Sequence, residues 1–300
     1  MSARRNKAYL ALLINSILWG VAPPLVKLAL PYTTPFRWLF YRYIIAVILT
    51  LPLLILYIRK YKPTHKTIFT IIALESLGTT LVLFLLYEGL KQSSVIDTSL
   101  IAAMSPLFVI IGSIIFLHER QKRNEWLGFM LAFIGTLAIA LEPLILYGRL
   151  TNGGSVIGNL FILTHNVVWM IYALLAKRLY QKLPPLLVTM ISFWVGLVSF
   201  GILAFFTSPS LLFSDLSQPW VGISALYMAI PGSIIAATLY IYGQKGIEVS
   251  EAALFSYLQP AVSMPLALIF LHEKVSFLTV GALLLIIFGV YLAERRPRRV

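Results

Sequence analysis

Two stripes of aromatic and polar residues are the clearest candidates for binding a solute. In the stretch "THNVVWMIYALLAK", His165, Trp169 and Tyr172 fall at positions i, i+4 and i+7, which places them on one face of a helix. Near the N-terminus, Asn15 and Trp19 show the same four-residue spacing. Indole rings stack on apolar solutes and attract organic cations, at roughly 0.5–2 kcal/mol per contact. The five residues therefore predict a binding site for a small organic solute whose polar head group is oriented by the amide and the imidazole.

An acidic residue, Glu75, lies nine residues into the apolar run at residues 67–89, close to its middle. A charge inside a membrane span is costly and functional by default unless it is paired. We therefore predict that Glu75 is a proton-coupling or substrate-amine site. The pattern also allows a bland alternative, a buried carboxylate that is hydrogen-bonded to a neighbouring helix.

Prolines and glycines indicate further parts of the site. A proline removes one backbone hydrogen bond, and the carbonyl that it frees is tolerated in a membrane only where protein or cavity water satisfies it. Pro106 and Pro260 are therefore predicted to kink the walls of a cavity, or else to be packing kinks. Gly78 and Gly232 permit close helix approach, and a hydroxyl residue follows each. The residues predicted to complete the substrate-binding wall are Thr79, Ser105, Ser233, Tyr257 and Gln259.

Two His-Glu pairs, His118-Glu119 and His272-Glu273, raise the question of a metal. Neither pair has a second histidine four residues on, so the zinc-protease spacing is not met, and both are predicted to cap helix ends or form salt bridges. The chain has no cysteine, which excludes disulfides and cysteine-based metal sites. No nucleophile–base pair or phosphate-binding loop rises above background. We predict no catalytic residue, no metal and no cofactor, and hence no enzyme.

Membrane helices must position these residues. Hydrophobic residues make up 59% of the 300-residue chain and charged residues 12%, whereas a soluble globular chain carries about 25% charged residues. A helix that spans a bilayer needs about 20 mostly apolar residues. This rule predicts an all-α polytopic membrane protein with ten spans, near residues 8–30, 36–58, 67–89, 94–117, 124–142, 157–177, 184–206, 219–243, 250–271 and 276–293.

The net charge of +13 follows the predicted topology. Most of the 24 lysines and arginines fall in segments that are cytoplasmic if the N-terminus is cytoplasmic, and the positive-inside rule then places both termini there. The basic charge is thus a topology signal, and we predict no nucleic-acid partner. The expected partners are the lipid bilayer and a small-molecule substrate, with monomer and homodimer both open.

A repeated pentapeptide reveals an internal repeat. The letters "IFLHE" occur at residues 115–119 and again at 269–273, 154 residues later. At the same offset, Gly78 matches Gly232, Gly89 matches Gly243, Pro106 matches Pro260 and Gly135 matches Gly289. Nearer the N-terminus the offset is 150, which aligns Asn15 with His165 and Trp19 with Trp169. The chain is therefore predicted to contain two five-helix repeats, residues 1–150 and 151–300.

Five spans in each repeat is an odd number, so the second repeat is predicted to enter the membrane upside down relative to the first. Inverted repeats around a midplane site are characteristic of secondary transporters. An axis in the membrane plane would bring Trp19 and Trp169 to opposite walls of one central site. The alternative is that both tryptophans are packing residues at the seam between the halves.

Longer stretches carry a resemblance to a known family. The stretch "LWGVAPPLVKLAL…TPFRWLFYRYIIA" is similar to the opening of an EamA-type half, and "LQPAVSMPLALIFLHEKVSFLTVGALLLIIFGVYL" is similar to its close. The chain resembles the drug/metabolite transporter superfamily over almost its whole length, and within it the aromatic amino acid exporters. The resemblance implies ten helices in two inverted halves, a central cavity and export of small metabolites. It also implies that the arginine of span two, Arg42, is structural.

Together these features predict a secondary active exporter in the plasma membrane that works by alternating access, with small metabolites such as amino acids or amphipathic drug-like solutes as substrates. Two other classes are weighed against it. A passive facilitator or channel on the same scaffold would show non-saturating flux, whereas a carrier shows saturable counterflow. A membrane-embedded enzyme is disfavoured because catalytic groups are missing. The sequence leaves the substrate and the coupling ion open.

Overall fold

The computed structural model describes residues 2–92, 101, 104–118, 123–140, 156–181, 183–207, 213–271 and 276–294. Within these ranges the chain contains helices and no β-strand, which confirms the predicted all-α class. The α-helices are α1 (Ser2–Ala29), α2 (Pro35–Tyr61), α3 (His65–Glu75), α4 (Val82–Gln92), α5 (Ser105–Leu117), α6 (Arg123–Ala140), α7 (Val156–Tyr180), α8 (Pro185–Thr207), α9 (Pro219–Ala229), α10 (Ala236–Gly246), α11 (Val249–Leu254), α12 (Gln259–Leu271) and α13 (Phe277–Glu294). Two π-helices, π1 (Ser76–Leu81) and π2 (Ile230–Ile235), join α3 to α4 and α9 to α10.

Local sequence explains where helices begin and end. The Thr34 side chain accepts a hydrogen bond from the backbone of Arg37, and Pro35 occupies the first turn, so α2 starts with a cap and a fixed backbone angle. Helix α5 ends at His118, which adopts the left-handed conformation and bonds through its N–H to the Ser113 carbonyl. His118 therefore caps a helix, as predicted. The other members of the two His-Glu pairs lie outside the described residues.

Six helical stretches are long and apolar enough to cross a bilayer: Arg5–Ala29, Pro35–Tyr61, His65–Gly89, Ile157–Tyr180, Pro185–Thr207 and Pro219–Gly246. They coincide with the predicted spans one, two, three, six, seven and eight. Shorter apolar helices at Ser105–Leu117, Trp126–Gly135 and Val280–Leu292 fall in spans four, five and ten. Large apolar side chains such as Phe206 and Phe277 are exposed, as is expected where lipid is the solvent. The chain is a multi-pass membrane protein.

Helix bounds repeat at the spacing found in the sequence. The π-helices begin 154 residues apart, at Ser76 and Ile230, and each has six residues. Helices α5 and α12 begin at the same spacing with 13 residues each, and α6 and α13 with 18 residues each. Equivalent stretches of the two predicted repeats thus adopt the same local structure.

The chain divides into two compact units, and each draws helices from both predicted repeats. Unit 1 comprises Met1–Leu81 and Leu175–Gly246. In it α2 packs on α8, where the rings of Tyr43 and Phe200 stack with centroids 5.7 Å apart. A Cβ on Gly196 would lie 2.8 Å from the Tyr43 ring, so only glycine permits this approach. Helix α1 packs on α10 in the same manner, with Leu12 against Gly243.

Unit 2 comprises Val82–Leu174 and Ile247–Val300. Its helices α6 and α13 meet through a reciprocal contact. A Cβ on Gly135 would lie 2.7 Å from the Ala282 carbonyl, and a Cβ on Gly289 would lie 2.7 Å from the Gly128 carbonyl. Gly128 and Ala282 are themselves 154 residues apart, so equivalent residues of the two predicted repeats face each other here.

Candidate functional site

Glu75 is the last residue of α3. It lies in the interior of unit 1 and is 2% exposed. Two hydroxyl groups donate to it. Tyr180 Oη lies 2.5 Å from Glu75 Oε1, and Thr79 Oγ1 lies 2.9 Å from Glu75 Oε2. A buried charge is tolerated when it is compensated by hydrogen bonds, and these two donors hold the carboxylate between the end of α7 and the first turn of π1. The predicted site residues Glu75 and Thr79 are therefore in direct contact.

The π-helix π1 begins immediately after Glu75. A π-helix carries i→i+5 backbone bonds, is rare, and is found mostly as a single turn at functional sites. Thr79 and Thr80 both lie within π1, and Thr80 Oγ1 is hydrogen-bonded to Ser199 Oγ of α8 at 2.8 Å. The widened turn is thus fixed by two side chains, one bonded to Glu75 and one to α8.

The second π-helix, π2, is held by the predicted residues of α1. Trp19 Nε1 donates to the Gly232 carbonyl at 2.9 Å, and Asn15 Nδ2 donates to the Ala236 carbonyl at 3.0 Å. Pro231 gives a local reason for the irregular turn, since it lacks an N–H and crowds the preceding helical turn. Both predicted solute-binding groups therefore bond to backbone carbonyls at the helix irregularity.

The same contact occurs in unit 2. The Nδ1 atom of His165 lies 2.8 Å from the carbonyl of Val82, the residue that directly follows π1. Ala236 directly follows π2, so Asn15 and His165 bond to equivalent backbone groups. A carbonyl only accepts, so Nδ1 carries the proton in this bond, and the other ring nitrogen, Nε2, takes no part in it.

Arg42 of α2 lies beside π2 in unit 1. Its Nε donates to Ser233 Oγ at 2.7 Å, and Ser233 in turn donates to the Met228 carbonyl at 2.5 Å. The guanidinium carbon lies 5.0 Å from the ring centroid of Tyr43. The charges of Arg42 and Glu75 both act on the hydroxyl of Tyr43. One tyrosine thus has a cation and an anion in its surroundings.

Each predicted tryptophan has a tyrosine neighbour within its own unit. The rings of Trp19 and Tyr240 have centroids 5.4 Å apart at an interplanar angle of 38°, and Trp169 and Tyr172 have centroids 5.5 Å apart at the same angle. Trp19 is half-buried, and Trp169 is partly buried against a cluster that includes Val109. Trp169 and Tyr172 of the predicted stripe therefore do contact each other through their rings. The common binding site for Trp19 and Trp169 stays a prediction.

The two prolines predicted to kink spans begin helices. Pro106 lies in the first turn of α5, where its missing N–H leaves no helical bond unmade. Gln259 and Pro260 start α12, directly after a 3₁₀ turn at Phe255–Leu258. Ser105 is the first residue of α5 and half-buried.

Tyr257 belongs to this 3₁₀ turn and lies in the apolar cluster under α6 and α13. It is 2% exposed, and its hydroxyl has no hydrogen-bond partner within the described ranges. A buried hydroxyl without a partner costs about 1–3 kcal/mol, which is the kind of strain that functional sites retain.

Sequence reasoning missed three features of the site. Tyr180 gave no signal, because it lies just beyond the predicted span at residues 157–177 and 105 residues after its partner Glu75. The π-helices were marked only by the matched pair of glycines. Arg42 was noticed as a charge within a span, but its hydrogen bond to Ser233 could not be read from spacing.

The fold defines a class, an all-helical multi-pass membrane protein. The family follows from the chain as a whole, because the family profile described as "EamA-like transporter family" matches residues 6–141 and again residues 156–294. The chain belongs to the EamA-like transporter family. The two matches fall one in each of the predicted repeats.

Similar proteins agree with this assignment. The uncharacterized transporter YyaM of Bacillus subtilis (strain 168) is 30% identical over 289 residues, which cover 95% of this chain and 93% of that protein. An uncharacterized transporter of Archaeoglobus fulgidus is 22% identical over 301 residues, covering 98% of this chain and 99% of that protein. A solved crystal structure has a TM-score of 0.80 at 18% identity, over 98% of this chain and all of the other, which is a likeness of fold.

Proposed function

We propose that this transporter is a secondary active carrier that exports small metabolites, amino acids or amphipathic solutes, by alternating access, with proton coupling at Glu75. The observation that carries the proposal is the buried carboxylate of Glu75, held by two hydroxyl donors at the start of a π-helix. An ionisable group within a membrane span marks a proton or substrate pathway by default.

Protonation of Glu75 would rearrange its contacts. The ionised carboxylate accepts from both Tyr180 and Thr79, whereas the protonated form has an O–H of its own that needs an acceptor. Where Tyr180 or Thr79 supplies that acceptor, its hydroxyl contact with Glu75 reverses direction. Because Tyr180 ends α7 and Thr79 lies in π1, the proton changes how α7 and the π-helix are tied together. This links proton loading to helix movement.

We propose that the substrate contacts the ring faces of Trp19, Trp169 and Tyr172, with Asn15 and His165 holding the adjacent backbone. The indole N–H of Trp19 is already bonded to Gly232 of π2, and the Asn15 amide to Ala236 just after it, so the Trp19 ring face is what remains for a solute. Aromatic faces suit aromatic amino acids and amphipathic cations. The residues proposed to complete the binding surface are Thr79, Ser105, Ser233, Tyr257 and Gln259.

We further propose a plasma-membrane location with both termini in the cytoplasm and two inverted repeats, residues 1–150 and 151–300. Matching helix bounds and the double family match support the repeats. The basic segments support the orientation. Monomer and homodimer are both compatible with this proposal.

The test is counterflow in proteoliposomes. Vesicles loaded with unlabelled phenylalanine are diluted into labelled phenylalanine, with and without a pH gradient. Wild-type protein should show saturable counterflow and net transport driven by the gradient. Glu75→Gln should keep counterflow and lose the response to the gradient. Glu88→Gln, the same chemical change at the far end of the same predicted span, is the control.

Two results would count against the proposal. Flux that rises linearly with concentration and shows no counterflow would indicate a passive facilitator. A Glu75→Gln protein that folds and keeps the wild-type response to the gradient would remove Glu75 from coupling, and the carrier would then need another proton site.

A further inference from the structure

Arg42 is a cation with an incomplete set of partners. It lies seven residues beyond the start of α2, inside a stretch apolar enough to cross a bilayer. Within the described ranges, its side chain makes one hydrogen bond, to Ser233, and no ion pair. An arginine within a span is costly and is normally paired. Its surroundings therefore compensate only part of its charge.

The contacts of Arg42 hold its guanidinium in place without using the two terminal nitrogens. The group has five N–H donors, and the Nε donor is occupied by Ser233. Tyr43 covers a face of the group, with the guanidinium carbon 5.0 Å from the ring centroid. The four donors on the two terminal nitrogens remain, and they form the planar fork that binds a carboxylate through two parallel hydrogen bonds.

The guanidinium is directed into the protein and not towards lipid. Ser233, which receives its Nε–H, is 0% exposed and is itself bonded to the Met228 carbonyl. A lipid-facing arginine would extend its side chain to the bilayer surface instead. The Arg42 residue is nevertheless only half-buried, so part of its side chain remains accessible.

Arg37, one turn and a half earlier in α2, shows what a structural arginine looks like in this protein. Its Nη2 atom lies 3.2 Å from Asp215 Oδ1 and 3.1 Å from Ser214 Oγ, so its charge is neutralised by an acid within unit 1. Arg42 makes no such ion pair with a described residue, although the charge of Glu75 acts on the same Tyr43. Arg37 is therefore neutralised by a direct acidic partner, whereas Arg42 is not.

We propose that Arg42 binds the carboxylate group of the substrate, which makes the substrate a carboxylic acid or a zwitterion such as an amino acid. The inference rests on the proposed transport function and narrows its substrate class. Ser233 positions the guanidinium from Nε, and Tyr43 supports its face. Amphipathic amines that lack a carboxylate fall outside the class that this site recognises.

The experiment measures ligand binding to the purified full-length protein with three probes that share one ring: phenylalanine, 3-phenylpropionate and phenethylamine. Dissociation constants come from calorimetry, and thermal shifts verify folding. The variants are Arg42→Gln, which removes the charge, and Arg42→Lys, which keeps the charge but not the fork. Arg59→Gln is the matched control, because Arg59 is an exposed arginine in the last turn of the same helix.

We expect wild-type protein and the control to bind the two carboxylates. Each Arg42 variant should weaken that binding by about tenfold to a hundredfold, the range of a lost charge-assisted pair, and leave phenethylamine unchanged. Arg42→Lys carries the test if Arg42→Gln does not fold. Equal carboxylate affinity in wild-type protein and Arg42→Lys, or no carboxylate binding to wild-type protein, would overturn the inference. So would loss of copurified anionic lipid as the sole effect of Arg42→Gln.

The two proposals fail in different ways. Arg42-dependent carboxylate binding without counterflow would refute the carrier and leave the carboxylate site standing. Counterflow of phenethylamine that is as fast as that of phenylalanine, with no effect of Arg42→Gln, would refute the carboxylate site and leave the carrier standing.

Discussion

Removing the hydroxyl of Tyr180 tests the Glu75 site most directly. Tyr180→Phe keeps the ring and deletes the donor that lies 2.5 Å from Glu75 Oε1. Both residues are 2% exposed, so water cannot replace the lost bond without a rearrangement. A hydrogen bond to a charged group contributes about 1.5–3 kcal/mol. We therefore expect the free energy of unfolding to fall by about 2 kcal/mol.

The assay is a double-mutant cycle on unfolding in mixed micelles, with Tyr180→Phe, Glu75→Gln and the double variant. If the two side chains stabilise each other, the loss caused by Tyr180→Phe should shrink in the Glu75→Gln background. We expect a coupling energy of about 1–2 kcal/mol, above the average of about 0.6 kcal/mol for neutral pairs between membrane helices. Additive losses, with a coupling below about 0.3 kcal/mol, would refute the reasoning.

Three other predictions concern packing, the tryptophan contact and topology. Gly289→Ala should destabilise the protein by about 1–3 kcal/mol in thermal unfolding, because its Cβ would meet backbone atoms at 2.7 Å, whereas Gly281→Ala, with open space around it, should not; equal effects would contradict this. Trp19→Phe should cost about 1 kcal/mol of stability through the lost bond to the Gly232 carbonyl and keep most of the solute affinity, while Trp19→Ala should lose the affinity as well; unchanged affinity in both would remove Trp19 from the site. A cysteine at Asn152, in this cysteine-free chain, should react with an impermeant thiol reagent from outside cells, and labelling from the cytoplasmic side alone would reverse the topology.

The sequence was sufficient for the features that depend on apolar length and on spacing. Six of the predicted spans coincide with helices that are long and apolar enough for a bilayer, because length and hydropathy are local properties. The matched pair Gly135 and Gly289 was found as a sign of the repeat, and a Cβ on either glycine would meet backbone atoms of the other helix. Asn15 and His165 were singled out by spacing alone, and they do bond to equivalent backbone groups.

The remaining features depend on contacts between distant parts of the chain. Nothing in "SLGTTL" and "IPGSII" beyond the glycine and the hydroxyl residue that follows it indicates that both form π-helices. Glu75 was recognised, but its partner Tyr180 is one of 15 tyrosines, and only the packing of unit 1 selects it. Asn15 was predicted to orient a solute, whereas its amide donates to the Ala236 carbonyl just after π2. Spacing identifies which residues share a face, and it does not say what that face meets.

The reciprocal contact between α6 and α13 has a consequence for the origin of the chain. Gly135 faces the equivalent of Gly128, and Gly289 faces Gly128 itself, so the contact is isologous, the self-complementary type that joins the subunits of a symmetric homodimer. A single ancestral helix would have needed only one small-residue surface to pair with a copy of itself. In a chain with two such repeats, as predicted here, the two copies of that surface would be free to diverge within one polypeptide. Glu75 and Arg42 have Ala229 and Ser192 at the matching offsets of 154 and 150, so the two predicted repeats carry different chemistry at equivalent positions.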